Sequence, residues 1–279
     1  MRNSVPAMFI PVMALIAGLA LSPASAAFAQ GAAPPAPKPE MVANCPGLIA
    51  ERSPLLRRAS LASDQVRITY VGHSTFLIES PKLVRIATDY NGYIRPPVLP
   101  DIVTMNRAHS THYTDHPEPG IKHVLRGWAG DEKPARIDIQ ERDVRVRNVP
   151  TNIRNFGGGT ERHGNSIFVF EIANLCIAHL GHLHHTLTQQ QLDEIGRIDI
   201  VLVPVDGSYT LDLEGTVEVL RSLKAPLMIP MHFFSSFTLE RFMSRIRQDW
   251  DVEMSEVPST VISKTALPQK PKLLVLPGR

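Results

Sequence analysis

The sequence predicts an α/β fold in a single domain, and three observations carry that expectation. β-branched runs bounded by Pro, Gly and Asp dominate the first half, strands and amphipathic helices alternate in the second, and one strand there, Ile198 to Val205, is apolar in every residue but Asp199 at its start. A strand without a polar side is buried on both faces, so helices must cover a sheet. With 43% hydrophobic and 20% charged residues in 279, the chain has enough apolar material for one large core, and no second domain is required.

In chain order, Val66 to Val71 and Thr75 to Glu79 are strands around the turn Gly72-His73-Ser74, followed by strands at Leu83 to Ala87, Ile102 to Met105, Ile137 to Ile139, Val144 to Val149 and Ser166 to Ile172. Gly157 to Gly159 reads as a flexible hairpin tip, since no Gly-Lys-Ser/Thr and no helix follows to make a phosphate cradle. Leu175 to Ala178 is a further strand. Thr188 with Gln191 has the capping-box pattern and opens a short helix through Ile195. Then come the strand from Ile198, a helix over Leu213 to Leu223, a strand over Leu227 to Met231 and a helix over Leu239 to Trp250.

Residues 1–29 read as an export signal: Arg2 gives a positive start, Met8 to Leu21 a short apolar run, and Ala24, Ala26, Ala27 and Ala29 the small residues a signal peptidase needs. The run is shorter than the ~20 residues that span a bilayer and is broken by Pro11, so no stable membrane insertion is expected after cleavage. Residues 30–64 form a Pro-rich linker and N-terminal extension, and residues 65–279 the folded domain. These features place the mature protein in the periplasm of a bacterium or outside the cell. In such an oxidising compartment the two cysteines, Cys45 and Cys176, are able to pair, although Cys176 lies in an apolar strand where a buried free thiol is equally at home. The formal charge is only +2 and no Lys/Arg block occurs, which argues against a nucleic-acid partner.

The densest chemistry follows the strand ending at Met105: Arg107, His109, Thr111, His112, Asp115 and His116. Imidazoles with a carboxylate beside them are the donor set of a hydrolytic metal site. Further histidines follow the later strands, at His179, His182, His184, His185 and His232. Of these, His179 reads as a core imidazole, His184 and His185 as exposed residues at a helix entry, and His163 as surface. Asp206, after the apolar strand, reads either as an outer partner of the site or as a turn residue.

Several segments together resemble the metallo-β-lactamase superfamily: Thr69 to Ile78 around Gly72-His73-Ser74, the His-rich loop after a strand, Asn165 to Glu171, Ile177 to Leu183, Asp199 to Gly207 and Met228 to His232. More narrowly they look like its branch of Zn-dependent hydrolases that includes sugar-phosphate lactonases. The resemblance implies an αββα sandwich with a metal site at the sheet edge and hydrolysis by a metal-bound hydroxide. It also implies liganding positions at 107, 109, 111 and 112, of which Arg107 and Thr111 are not ligands, and it puts His182 where an Asp is expected. A later register would use His112, Asp115 and His116 instead.

On that basis His109, His112, His182 and His232 are the expected ligands of about one zinc or other divalent ion per chain. Asp115 and His116 are expected as proton acceptors or outer partners of the ligands, and His73 at the same rim. Arg107, with its planar fork, is expected to hold a carboxylate or phosphate of a small anionic substrate. The function so implied is hydrolysis of a small anionic ester, lactone or phosphoester. The alternative is a periplasmic binding protein that keeps the fold without turnover.

Overall fold

The computed structural model describes residues 60–278 except 131, 132 and 156. By internal contacts the chain divides into Met1–Pro54 and Leu55–Arg279, and every described residue belongs to the second unit. The signal, the linker and Cys45 therefore lie outside the described residues.

The first sheet has six strands in the order β13-β1-β2-β3-β4-β5. They are β1 (Gln65–Gly72), β2 (Thr75–Glu79), β3 (Arg85–Ala87), β4 (Ile102–Met105), β5 (His123–Arg126) and β13 (Ser259–Ser263). The second sheet has eight, in the order β12-β14-β11-β10-β9-β8-β7-β6. Its strands are β6 (Asp138–Glu141), β7 (Val144–Arg154), β8 (Thr160–Ile172), β9 (Leu175–His179), β10 (Ile200–Pro204), β11 (Leu227–Met231), β12 (Asp251–Met254) and β14 (Lys272–Val275). The strands expected from sequence are all present. β5, β12, β13 and β14 are additions, and β7 and β8 run further toward each other than their apolar segments do.

Side-chain alternation explains the layering. On β10, Ile200 and Leu202 pack into a core shared with Ile68, Phe76, Ile86 and Ile102 of the six-stranded sheet, which puts them between the sheets. Val201 and Val203 of the same strand face the other way, into a cluster with Ile195, Val217, Leu220, Leu239 and Phe242. Those residues belong to the helices α1 (Gln189–Ile195), α2 (Leu213–Leu223) and α3 (Ser236–Ile246). The capping box on α1 forms as expected, with the Thr188 side chain accepting from the Gln191 backbone N–H. The α/β sandwich is thus present with one difference from αββα. Among the described residues the outer face of the six-stranded sheet carries no helix and is covered by a coil cluster of Tyr90, Ile121, Tyr113 and Trp128 on Ala87, Val103 and Met105.

Among the described residues no helix is long and apolar enough to cross a membrane. Cys176 is a half-buried thiol whose Sγ lies 3.4 Å from Arg197 Nη2.

Candidate metal centre

Ends of strands from both sheets meet at one rim. The six-stranded sheet supplies His73 from the β1–β2 turn, Asp89 after β3, and His109, Thr111 and His112 after β4. The eight-stranded sheet supplies His182 and His184 after β9, Asp206 after β10 and His232 after β11. His73, His109, His112 and His232 each offer one ligand atom, and these atoms all lie within 4.8 Å of one another. His73 and His232 hold left-handed φ values of 50° and 54°, a conformation that costs most side chains energy and that His tolerates better than most. The His232 backbone N–H donates to the His73 carbonyl at 2.8 Å and ties the two strained turns together.

Two of these rings are backed by carboxylates. His112 Nδ1 lies 2.6 Å from Asp89 Oδ2 with both side chains fully buried, and the other Asp89 oxygen accepts from Asn106 Nδ2 at 3.0 Å. Burial pushes Asp89 up to about 6 and His112 well below its ordinary value. At neutral pH the ring is therefore neutral and donates Nδ1–H to a carboxylate. His232 Nδ1 lies 3.0 Å from Asp206 Oδ1. Burial alone would raise Asp206, but hydrogen bonds from His232, Thr210 and the Ser208 backbone outweigh it and hold the carboxyl well below its usual range.

With Nδ1 engaged, each ring has only Nε2 left. The Nε2 atoms of His112 and His232 are buried and have no hydrogen-bond partner. An orphaned buried polar atom costs about 1–3 kcal/mol. Imidazole lone pairs with carboxylates behind the rings are what a divalent ion such as zinc takes. The residues present fit a metal.

Thr111 stands at a replaced ligand position, and its hydroxyl orients two rings. Oγ1 is 2.9 Å from His73 Nε2 and 2.8 Å from His109 Nδ1. There is one hydroxyl hydrogen for two nitrogens. When it goes to His73, His109 donates Nδ1–H to the oxygen and keeps its lone pair on Nε2, which lies 3.1 Å from His182 Nε2. Burial and the neighbouring imidazoles push His73 down to about 3 and also lower His109, so both are neutral.

His182, an expected ligand, stands beside this group and not within it. Its Nε2 is 3.1 Å from His109 Nε2, and its Nδ1 is 2.5 Å from His184 Nε2. His184 Nδ1 accepts from the Arg154 backbone N–H at 2.8 Å, which places the His184 hydrogen on Nε2 and makes His182 Nδ1 the acceptor. A neutral His182 then carries its hydrogen on Nε2, pointing at His109. It becomes a ligand only by giving up that proton.

Other expectations are corrected by placement. Asp115 and His116 are exposed and outside the cluster, because Tyr113 packs on Trp128 with ring centroids 5.5 Å apart and the chain beyond it runs in solvent. The register built on His112, Asp115 and His116 is therefore not assembled. Arg107 does not fill a vacated metal position. Its side chain is 53% exposed and pairs with Glu161 Oε1 at 3.4 Å. It lies on the wall of a cavity of about 350 Å³ beside the cluster, together with His109, Arg154, His182, His184 and Tyr209. His184 is buried and touches His182, contrary to an exposed helix-entry role. His179 is a core imidazole as expected, with Nε2 2.9 Å from the Ser74 carbonyl.

Sequence reasoning missed Asp89 and Arg154. No spacing rule connects Asp89 to a ring twenty-three positions later. Arg154 closes the extended β7–β8 hairpin and is anchored by Nη2 on the Ser208 and Thr210 carbonyls at 3.3 and 2.5 Å. Asp206, directly after an apolar strand, carried the legible signal.

A profile of the Beta-lactamase superfamily domain matches residues 67–232, more than half of the chain. A UPF0173 metal-dependent hydrolase of Thermoplasma volcanium is 26% identical over 195 residues, covering 60% of this chain and 83% of its own. Among solved structures, one described as a Zn-dependent hydrolase of the metallo-beta-lactamase superfamily from Thermotoga maritima superposes with a TM-score of 0.57 at 26% identity, over 77% of this chain and 100% of that one. A metallo hydrolase from Ignicoccus hospitalis, with a TM-score of 0.51, 18% identity and coverage of 71% and 99%, shares the fold.

Proposed function

This chain belongs to the beta-lactamase superfamily, and from that membership we propose that it is an exported metal-dependent hydrolase of small anionic esters, lactones or phosphoesters. The observation that carries the reading is the pair of orphaned Nε2 atoms on His112 and His232, each in a ring backed by a buried carboxylate. His109, His112 and His232 would hold one divalent ion, which would take the place of the His182 hydrogen bond on His109, with His73 held beside them by Thr111. When bound, such an ion lowers the pKa of water to about 7 and polarises a carbonyl or phosphoryl oxygen.

The chain's own residues do the rest. Asp89 and Asp206 fix the tautomer and orientation of the two rings. Thr111 sets the orientation of His73 and His109. Arg154 makes no ion pair among the described residues, and its guanidinium is pinned by carbonyls beside the cavity, so it meets the anionic group of the substrate. Arg107, already paired with Glu161, guards the mouth. Burial and the neighbouring Arg154 push His184 down to about 4. It stays neutral and holds His182 by its Nδ1, fixing that ring against His109.

One preparation tests the reading. Protein purified from its native host should have an intact mass beginning near Gln30 and about one divalent ion per chain, most of it lost in His232→Ala. It should hydrolyse anionic lactones, esters or phosphoesters in preference to neutral ones. A metal-free protein with no such turnover would leave the non-catalytic binder. A mass retaining residues 1–29 would overturn export.

A further inference from the structure

We propose that Phe234 and Tyr209 form an apolar subsite beside the metal centre that binds an aromatic ring or alkyl chain of the substrate. The molecule hydrolysed is then amphiphilic, with its anionic group toward Arg154 and its apolar group on the two rings. The subsite deepens the hydrolase reading and rests on it.

Phe234 is 57% exposed and Tyr209 67%. Single exposed aromatics are ordinary, but these two touch each other edge to face, with centroids 5.5 Å apart. Phe234 also packs on His232 at 5.2 Å and on His73 at 5.8 Å, two rings of the metal cluster. Tyr209 lines the same cavity as His109, Arg154 and His182. An apolar surface therefore continues directly from the reactive centre, and a ligand reaching the cluster lies against it. Phe237, 74% exposed in the first turn of α3, follows on the same segment.

The two rings are held in place by the devices that hold the metal ligand. The left-handed turn at His232 sends the next residue, Phe233, inward against Tyr70 and the core, and leaves Phe234 outside. Asp206 Oδ2 accepts backbone N–H bonds from Ser208, Tyr209 and Thr210 at 2.9, 2.6 and 3.2 Å, building the loop that presents Tyr209. The other oxygen of that carboxylate receives His232 Nδ1. One carboxylate thus sets both the ligand ring and the aromatic rim, and rings fixed beforehand bind an apolar group at little ordering cost.

The test uses the metal-loaded mature protein and two series of probes. Straight-chain carboxylates from acetate to octanoate, with phenylacetate, are titrated by calorimetry. Carboxylate-bearing γ-lactones with alkyl chains of rising length are followed by proton release. Wild type should show Kd falling and kcat/KM rising about two- to fourfold per added methylene. That slope should flatten in Phe234→Ala and Tyr209→Ala and persist in Phe234→Leu. A slope equal to wild type in both alanine variants, or no slope in wild type, overturns the subsite while leaving any lactone hydrolysis to support the hydrolase. A carboxylate-binding slope lost in the variants, with no lactone turned over, supports the subsite and counts against the hydrolase.

Discussion

Asp89 and Asp206 each hold an imidazole by Nδ1 and so decide that Nε2 is the nitrogen left to a metal. Replacing either by Asn keeps the shape and removes the charge to which the ring N–H donates. Asp89→Asn and Asp206→Asn should each weaken metal binding about 10- to 100-fold, measured by competition with a chromophoric chelator. Affinities equal to wild type would remove these carboxylates from the site. Asp206→Asn should be the more damaging, because its second oxygen also caps the Ser208–Thr210 loop, where an amide NH₂ would face backbone donors. At this scale the sequence pointed to the clustered histidines more readily than to the groups behind them. His109, His112 and His232 stand out as imidazoles after strands, whereas Asp89 meets His112 only through the pairing of β3 with β4, and His184 is fixed by Arg154 from the distant β7–β8 hairpin.

Elements buried on both faces were legible, and exposed or late-pairing ones were not. β10 and β11 are fully buried, and their apolar runs announce them. β12 is mostly exposed, and β14 is a four-residue strand that pairs in parallel with β11 and β12, so its partners are remote and its pattern is too short to read. The outer parts of β7 and β8, including Arg154 and Glu161, form a hairpin arm whose polar residues read as loop. The turn after β9 carries the element-scale prediction. Gly181 has φ 61°, and a Cβ there would lie 2.4 Å from Asn106 Nδ2 and from Asn165 Oδ1. Those amides hold Asp89 and the His182 backbone N–H. Gly181→Ala should therefore lower metal content and destabilise the fold by about 1–3 kcal/mol, seen in elemental analysis and urea unfolding. A variant with normal metal content and stability would show that this turn has room the distances deny.

For the whole molecule, acid is the predicted weakness of the metal-free protein. His73, His109, His112, His182 and His184 are all held below their ordinary value, chiefly by burial. They are neutral in the fold and take protons when unfolded, so the stability they contribute is full above pH ~6.5 and is lost as the pH falls through their depressed values. Asp89, raised to about 6, acts in the opposite sense: its contribution is present below the ordinary carboxyl value and lost as pH rises through about 6. Five imidazoles outnumber one carboxyl. The urea midpoint of metal-free protein should therefore fall between pH 6.5 and 4, and a midpoint that holds or rises on acidification would contradict the site's protonation pattern.

The two-layer origin of the cluster gives this centre one more property. His73, His109 and His112 come from the layer that, among the described residues, is covered by coil, and His232 from the layer braced by helices. An ion shared among them rivets the looser layer to the firmer one, adding stability that grows with free metal in units of RT ln(1 + [L]/Kd). Without it, the coil after β4 is held by the His112–Asp89 pair and the Asn91 amide on the Thr111 carbonyl, and local opening there would expose the chain to proteases before the core gives way. The lifetime of the protein in its compartment would then follow metal supply, so that scarcity of the ion removes the polypeptide as well as its activity.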